Sequence, residues 1–514
     1  MIRPPRRRRA AHRFVLAGKV IGLVLLAACV GGGPGGAGAP APVGAAPDLA
    51  ALGDGRPDSS GGPPVGRAAI EALRFPPLRF EPPRPTQHEL SNGIQVFILE
   101  DRTLPLVDLY ASFRGGSVFF DRGDFAAASS MGALLLSGGT ESLAPDSLDR
   151  VIEFYSLSPS FSTGGESAFS GIGTLSRHLD VALGVWADML RRPRFDPERV
   201  EVWRRRELES LRRMDEQPTG IAIREFNRLL FGEHPVGWVM QPEDLEPDRL
   251  TPDRLRRVHS RIYCPDNMVL GVAGDVSAGE ILEKLESAFG DWPPCAVPLE
   301  EPPPAEIGHA PGVLVIHRPV DQSTIVMGHA GGIARRDGQP YFAAQIANWL
   351  IGGGGLSSAL MNRLRTAEGL AYTAWSVWVA GDTAQRVFGA FTQTKAETTI
   401  AAAQLVRETI ENALVEPPSE DAVGLAVESS VNGFVFAFES PTSVVARQMS
   451  YRTSGLPDNW LERYLEGVQR VTPDAVLGVA RRHLRPDEMV IVIVGDTTRF
   501  DASPDVLGPR IERR

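Results

Sequence analysis

Histidine, cysteine and positive charge are all in short supply in this chain of 514 residues, and each shortage removes a class of chemistry. None of the 9 histidines lies between His88 and His178, and His178, His234, His259, His309, His317, His329 and His483 include no two at i, i+3 or i, i+4. Paired imidazoles one helical turn apart are the usual grip on catalytic zinc, so these read as surface or core histidines. The 3 cysteines are Cys29, Cys264 and Cys295; the last two are either a disulfide or two unpaired thiols, and the sequence does not decide. Lys and Arg number 53 against 63 Asp and Glu, a net charge of −10 that argues against a nucleic-acid partner. The glycines Gly352, Gly353, Gly354 and Gly355 are not followed by Gly-Lys-Ser/Thr, so they are no nucleotide-phosphate loop.

The one N-terminal apolar run, Val20 to Ala28, is too short to span a bilayer and follows Arg3, Arg6 to Arg9, Arg13 and Lys19. Residues 1–28 therefore read as an export signal. It ends Leu26-Ala27-Ala28-Cys29, which resembles the lipobox of bacterial lipoproteins. That resemblance implies a lipidated Cys29 and a protein tied to a membrane surface without crossing it. Residues 29–75, rich in Gly, Pro and Ala, read as a flexible tether. Removing the signal takes away basic residues and no acidic ones, so the exported body is more acidic still. The expected location is the bacterial cell envelope, lipid-anchored and periplasm-facing.

What is present is one pattern written twice. Leu250-Thr-Pro-Asp, then Pro265-Asp-Asn-Met-Val, then Gly274-Asp275 is answered by Val471-Thr-Pro-Asp, Pro486-Asp-Glu-Met-Val and Gly495-Asp496. The offset is the same at both ends, so the repeat is a whole domain rather than a solenoid unit. In each copy a Thr-capped helix with Pro in its first turn leads to an apolar strand stopped by Gly-Asp. The front halves, Leu106 to Gly116 and Thr324 to Gly332, are strand-like segments, each followed by a helical segment ending in glycines. That order predicts an α+β fold of two homologous domains, each a mostly antiparallel sheet with helices on one face. The domains are residues 76–292 and 311–514, joined by a linker at 293–310. The tail from Phe500 shows no motif and reads as a loose end.

Asn92-Gly-Ile-Gln-Val, Phe231-Gly-Glu-His-Pro-Val-Gly, Tyr263 to Asp275, and Gly352 to Tyr372 together resemble the pitrilysin/insulinase family of zinc peptidases, which includes the mitochondrial processing peptidase. The resemblance runs from about Pro85 to Asp496. It implies that the two domains form half of a clam-shell chamber that holds extended peptide as an added strand. Active members carry His-x-x-Glu-His before a Gly-Thr stop. Counting back from Gly139-Thr140, the matching positions are Ser130, Met131, Gly132, Ala133 and Leu134, so both ligands and the base are missing. The family's third ligand, a Glu, falls near Glu209 or Ser210, on a helix dense in Arg and Glu where a solvated side chain is expected.

The resemblance also implies what is kept. Arg365 and Tyr372 match a pair that reaches the substrate carbonyl, and Gly352 to Gly355 match a substrate-touching loop whose alternative role is a tight helix exit. The expectation is a non-zinc subunit with no cofactor of its own, completed by a homologous partner that bears zinc on an intact His-x-x-Glu-His. A scaffold or peptide-binding protein of the same fold is the alternative. Trp349, Trp375 and Trp378 are expected in the core or at an interface.

Overall fold

The computed structural model describes residues 82–302, 310–335, 338–380 and 387–512. The signal segment 1–28, Cys29 and the tether 29–75 lie outside them. In the first sheet, β1 (Thr86–Glu89), β2 (Gln95–Glu100), β3 (Leu106–Arg114), β4 (Ser158–Thr163), β5 (Ser167–Leu175) and β6 (Met268–Gly274) take the order β1-β2-β6-β3-β5-β4. In the second, β7 (Gly312–His317), β8 (Gln322–Ala330), β9 (Ala371–Val379), β10 (Val387–Lys395) and β11 (Val490–Gly495) take the order β7-β11-β8-β10-β9. Without β1 the two orders are the same. Each sheet is antiparallel except for one parallel pair, β2 with β6 and β7 with β11, made where the chain returns after its helices. The returning helices, Pro252–Ile262 and Pro473–His483, start as the sequence predicts. Thr251 Oγ1 accepts from Arg254 N–H at 3.4 Å and Thr472 Oγ1 from Ala475 N–H at 3.2 Å.

The central strands β6 and β11 are apolar throughout because both of their faces are covered. One face of each sheet packs on helices of its own domain: Leu109, Phe113, Leu270 and Val272 join Met131 and Leu134 in the first core. The other face is covered by a helix lent from the opposite domain. Helix Pro218–Phe231 sets Ile221, Phe226, Leu229 and Leu230 on Leu314, Val326, Val492 and Val494 of the second sheet. In return, helix Pro441–Thr453 sets Val445 and Met449 on Phe97, Val269 and Ala273 of the first. Gly271 admits that helix, since a Cβ there would overlap Met449 Sδ and Val445 Cγ1. Thr442 Oγ1 donates to Asp108 Oδ2 at 2.9 Å and Thr453 Oγ1 to Ser112 Oγ at 3.2 Å along the same seam.

Cys264 and Cys295 are joined in a disulfide, with Cα atoms 5.2 Å apart, which resolves the alternative left open above. It pins the start of the 293–310 segment to the first domain, where Cys295 N–H also donates to Asp266 Oδ2 at 3.0 Å. Replacing both cysteines by serine is expected to lower stability by about 2–4 kcal/mol, through freedom returned to the unfolded loop. Denaturant unfolding of the oxidised protein beside the variant reads this directly.

The tail is not loose. Asp501 accepts from the backbone N–H of Ile400 at 2.8 Å and of Ala401 at 2.9 Å, capping helix Thr399–Asn412, and Leu507 and Ile511 are buried. Val313 N–H donates to the Pro509 carbonyl at 2.8 Å and Ile511 N–H to the Val313 carbonyl at 2.9 Å. The tail thus shields the outer edge of β7 as β1 shields β2. A cover made of one bridge has no periodicity, so nothing in the sequence announces it. Among the described residues no helix is long and apolar enough to cross a membrane.

Candidate functional site

The positions that match the zinc motif lie on helix Phe125–Ser137. Ser130, Met131 and Leu134 are fully buried, and Ser130 Oγ donates to the Ala127 carbonyl at 2.9 Å, while Ala133 is exposed. A Cβ on Gly132 would come within 2.8 Å of Ser162 Cα, so the helix lies hard against β4. A hydroxyl already given to a carbonyl and two hydrocarbon side chains do not fit zinc. Among the described residues no three His, Cys, Asp or Glu converge as a metal cluster. Glu209 is exposed on helix Pro197–Glu216 and pairs with Arg212 at 3.8 Å and Arg213 at 3.4 Å. Its neighbour Glu207 is half-buried, and loss of hydration raises its pKa above the ordinary range.

The buried histidine His259 serves the core. Its Nε2 lies 2.9 Å from the Leu190 carbonyl and its ring stacks on Tyr263 at 5.1 Å. Burial lowers its pKa from 6.5 to about 4. The unfolded chain therefore takes up a proton that the folded protein refuses. His259 contributes its full share of stability above pH 6.5, and that share is lost as pH falls from 6.5 towards 4. The loss is expected to be on the order of 3 kcal/mol. Urea midpoints across this window should slope more steeply for the wild type than for His259→Gln.

Arg365 and Tyr372 come together at the surface. The guanidinium carbon of Arg365 stands 4.9 Å from the centroid of the Tyr372 ring, and Tyr372 is 80% exposed. Arg365 rides on a wide π-type turn, Asn362–Ala367, closed by Glu368 N–H to the Arg363 carbonyl at 3.2 Å. Tyr372 is a bulge: Ala371 pairs with Thr394 and Thr373 with Gln393, so Tyr372 is extra in β9. Thr394 Oγ1 donates to the Leu370 carbonyl at 2.7 Å, beside the bulge. Among the described residues no carboxylate forms an ion pair with Arg365. The pair thus offers an always-charged guanidinium and a phenol to an oxygen that carries or gains negative charge.

The glycine run continues helix Gln339–Asn348 as a second π-type turn, Trp349–Gly353. Gly352 is pressed on β9, where a Cβ would overlap Ser376 N and Oγ. A Cβ on Gly353 would lie 2.8 Å from Asn348 Nδ2 and one on Gly354 2.7 Å from the Trp349 carbonyl, while Gly355 has φ +58°. The run makes a tight helix exit and still leaves Gly353, Gly355 and the 66% exposed Leu356 facing solvent. Trp378 is core, packed edge-on to Phe388; Trp375 stacks on Phe391, and Trp349 flanks the second core. Sequence reasoning found the pair but not Thr394 or the two wide turns, which leave no mark in composition or spacing.

Residues 249–429 match the family model described as the peptidase M16 inactive domain. Over that stretch the chain resembles peptidase M16. An uncharacterized zinc protease of Streptomyces coelicolor is 26% identical to it over 328 residues, 62% of this chain and 70% of that protein. The non-peptidase homolog YmxG of Helicobacter pylori is 21% identical over 414 residues, 80% of this chain and 94% of that protein. Among solved structures, a peptidase M16 inactive domain from Pseudomonas fluorescens aligns with a TM-score of 0.71 at 23% identity, covering 80% of this chain and 98% of that one. A protease from Helicobacter pylori aligns with a TM-score of 0.71 at 18% identity, over 81% and 100%. These two share the fold of this chain, two sheets with helices.

Proposed function

We propose that this M16 homologue is the non-zinc subunit of a heterodimeric, exported metallopeptidase. It contributes chamber wall and substrate contacts through Arg365 and Tyr372 and binds no metal itself, while a homologous partner supplies zinc on His-x-x-Glu-His. The reading rests on one contrast. Ser130, Ala133 and Leu134 give zinc nothing to bind, yet a guanidinium and a phenol stand stacked and solvent-facing, with no acidic side chain among the described residues paired to the guanidinium. A scaffold has no use for donors aimed at a carbonyl. The names of the relatives, zinc protease on one side and non-peptidase homolog on the other, are those a two-chain enzyme accommodates.

Extended peptide is held as an added strand, where backbone bonds give affinity with little sequence preference. Strand β4 ends the first sheet and β9, which bears Tyr372, ends the second. The Cys264–Cys295 disulfide supports export, because such bonds persist outside the reducing cytoplasm. Cys29 carries the acyl anchor on the periplasm-facing surface of the envelope.

The test is a mixing assay on this chain, a same-genome homologue with an intact zinc motif, and the two together, using a quenched fluorescent peptide. Cleavage well above that of the zinc chain is expected only in the mixture, and a chelator should abolish it. Chelator-sensitive hydrolysis by this chain alone, or a mixture no faster than the zinc chain by itself, refutes the reading.

A further inference from the structure

We infer that the Arg365–Tyr372 pair is aimed by two local irregularities, the wide turn Asn362–Ala367 and the bulge at Tyr372, and that Thr394 is the positioning residue holding the bulge. The first domain provides an internal control, because the same architecture there lacks both. Its segment before the equivalent strand, Pro145–Phe154, is α-helical throughout and ends on an ordinary four-residue bond, Tyr155 N–H to the Val151 carbonyl at 3.1 Å. Strand β4 then pairs with β5 without a break, from Ser158 with Gly173 to Thr163 with Ala168. In the second domain the bond that closes the turn spans one residue more, Glu368 N–H to the Arg363 carbonyl at 3.2 Å, and β9 carries its extra residue.

Each irregularity has a geometric effect on one member of the pair. One residue fewer in a helical turn carries a side chain about 100° around the axis, which would take Arg365 away from the ring. In an unbroken strand successive side chains alternate between faces, so Tyr372 would share the buried face of Ala374 and Trp378; the bulge shifts that phase and leaves Tyr372 exposed where the strand begins. Thr394 is 2% exposed, and its hydroxyl reaches both the Leu370 carbonyl and Thr398 Oγ1 at 2.7 Å. It ties Leu370, which follows the wide turn and bonds back to the Leu364 carbonyl at 2.8 Å, to the strand opposite the bulge, so one hydroxyl sets both irregularities relative to each other. Wide helical turns and bulges cost local regularity and gather where a side chain must be re-aimed.

The substrate role of the pair rests on the proposed function, but its positioning can be tested without a partner. In the mature chain labelled at arginine, the ring current of Tyr372 should shift the Arg365 side-chain protons upfield, an assignment made by the loss of that shift in Tyr372→Leu. Thr394→Val, which removes only the hydroxyl, and deletion of Thr366, which narrows the turn, are each expected to abolish the shift. The melting temperature should stay within about 5 °C of wild type. Loss of the shift in either variant with the fold kept supports the inference. A shift retained in both, or collapse of both folds, overturns it. If the variants lose the shift yet the mixed complex cleaves at the wild-type rate, it is the proposed substrate role that fails and not the positioning.

Discussion

Replacing Arg365 by Ala together with Tyr372 by Phe should reduce peptide turnover by the proposed two-chain complex by about 10²-fold or more, the usual cost of losing a transition-state donor. The ring of Tyr372 survives in this variant, so packing is disturbed little, whereas the hydroxyl and the guanidinium are both gone. Both side chains are exposed, and the core beneath them at Leu364 and Ala371 is untouched. Size-exclusion chromatography is therefore expected to show an intact heterodimer. If the donors act on charge that develops during reaction, kcat and kcat/KM fall together and KM barely moves. A rise in KM alone would mean that the pair only holds the peptide, and unchanged kinetics would leave it no role in turnover.

Phe226→Ala is expected to cost about 3–5 kcal/mol of stability, the range for emptying an aromatic ring from a packed core. Phe226 is 2% exposed and belongs to the first domain, yet its ring rests on the second: a Cβ added to Gly328 of β8 would meet Phe226 Cζ at 3.0 Å. The lost contacts lie between the domains, so the variant should still unfold in one transition at a lower denaturant midpoint. Two separated transitions would mean that the exchanged helices do not couple the sheets. Fluorescence and far-ultraviolet circular dichroism, followed over the same denaturant series, distinguish these outcomes.

The duplication was legible because it is punctuated by residues with fixed backbone duties. Thr251 and Thr472 cap helices, and Gly274 and Gly495 end strands that are apolar because they are buried on both faces. The missing ligand residues were legible for the opposite reason, since ligand chemistry admits few residue types and Ser130, Ala133 and Leu134 are none of them. The exchange of helices was not legible. Ile221, Phe226, Leu229 and Leu230 announce an amphipathic helix, but an apolar stripe does not say which sheet it will cover. Arg365 and Tyr372 were found through the segment they share, while the reason they meet lies in a hydroxyl from another strand, Thr394, which local sequence cannot reveal. The disulfide stayed open for a similar reason: the distance between Cys264 and Cys295 depends on how the chain turns after the first domain.

The lent helices also make each half depend on the other. Helices Pro218–Phe231 and Pro441–Thr453 hold matching places in the two copies, and neither finishes the sheet of its own half. A lone ancestral unit with this layout would have left one sheet face bare to water. Two identical units related by a twofold axis would have satisfied each other. Carrying both units on one chain keeps each covering helix within covalent reach of the sheet it completes, so the exchange does not depend on protein concentration.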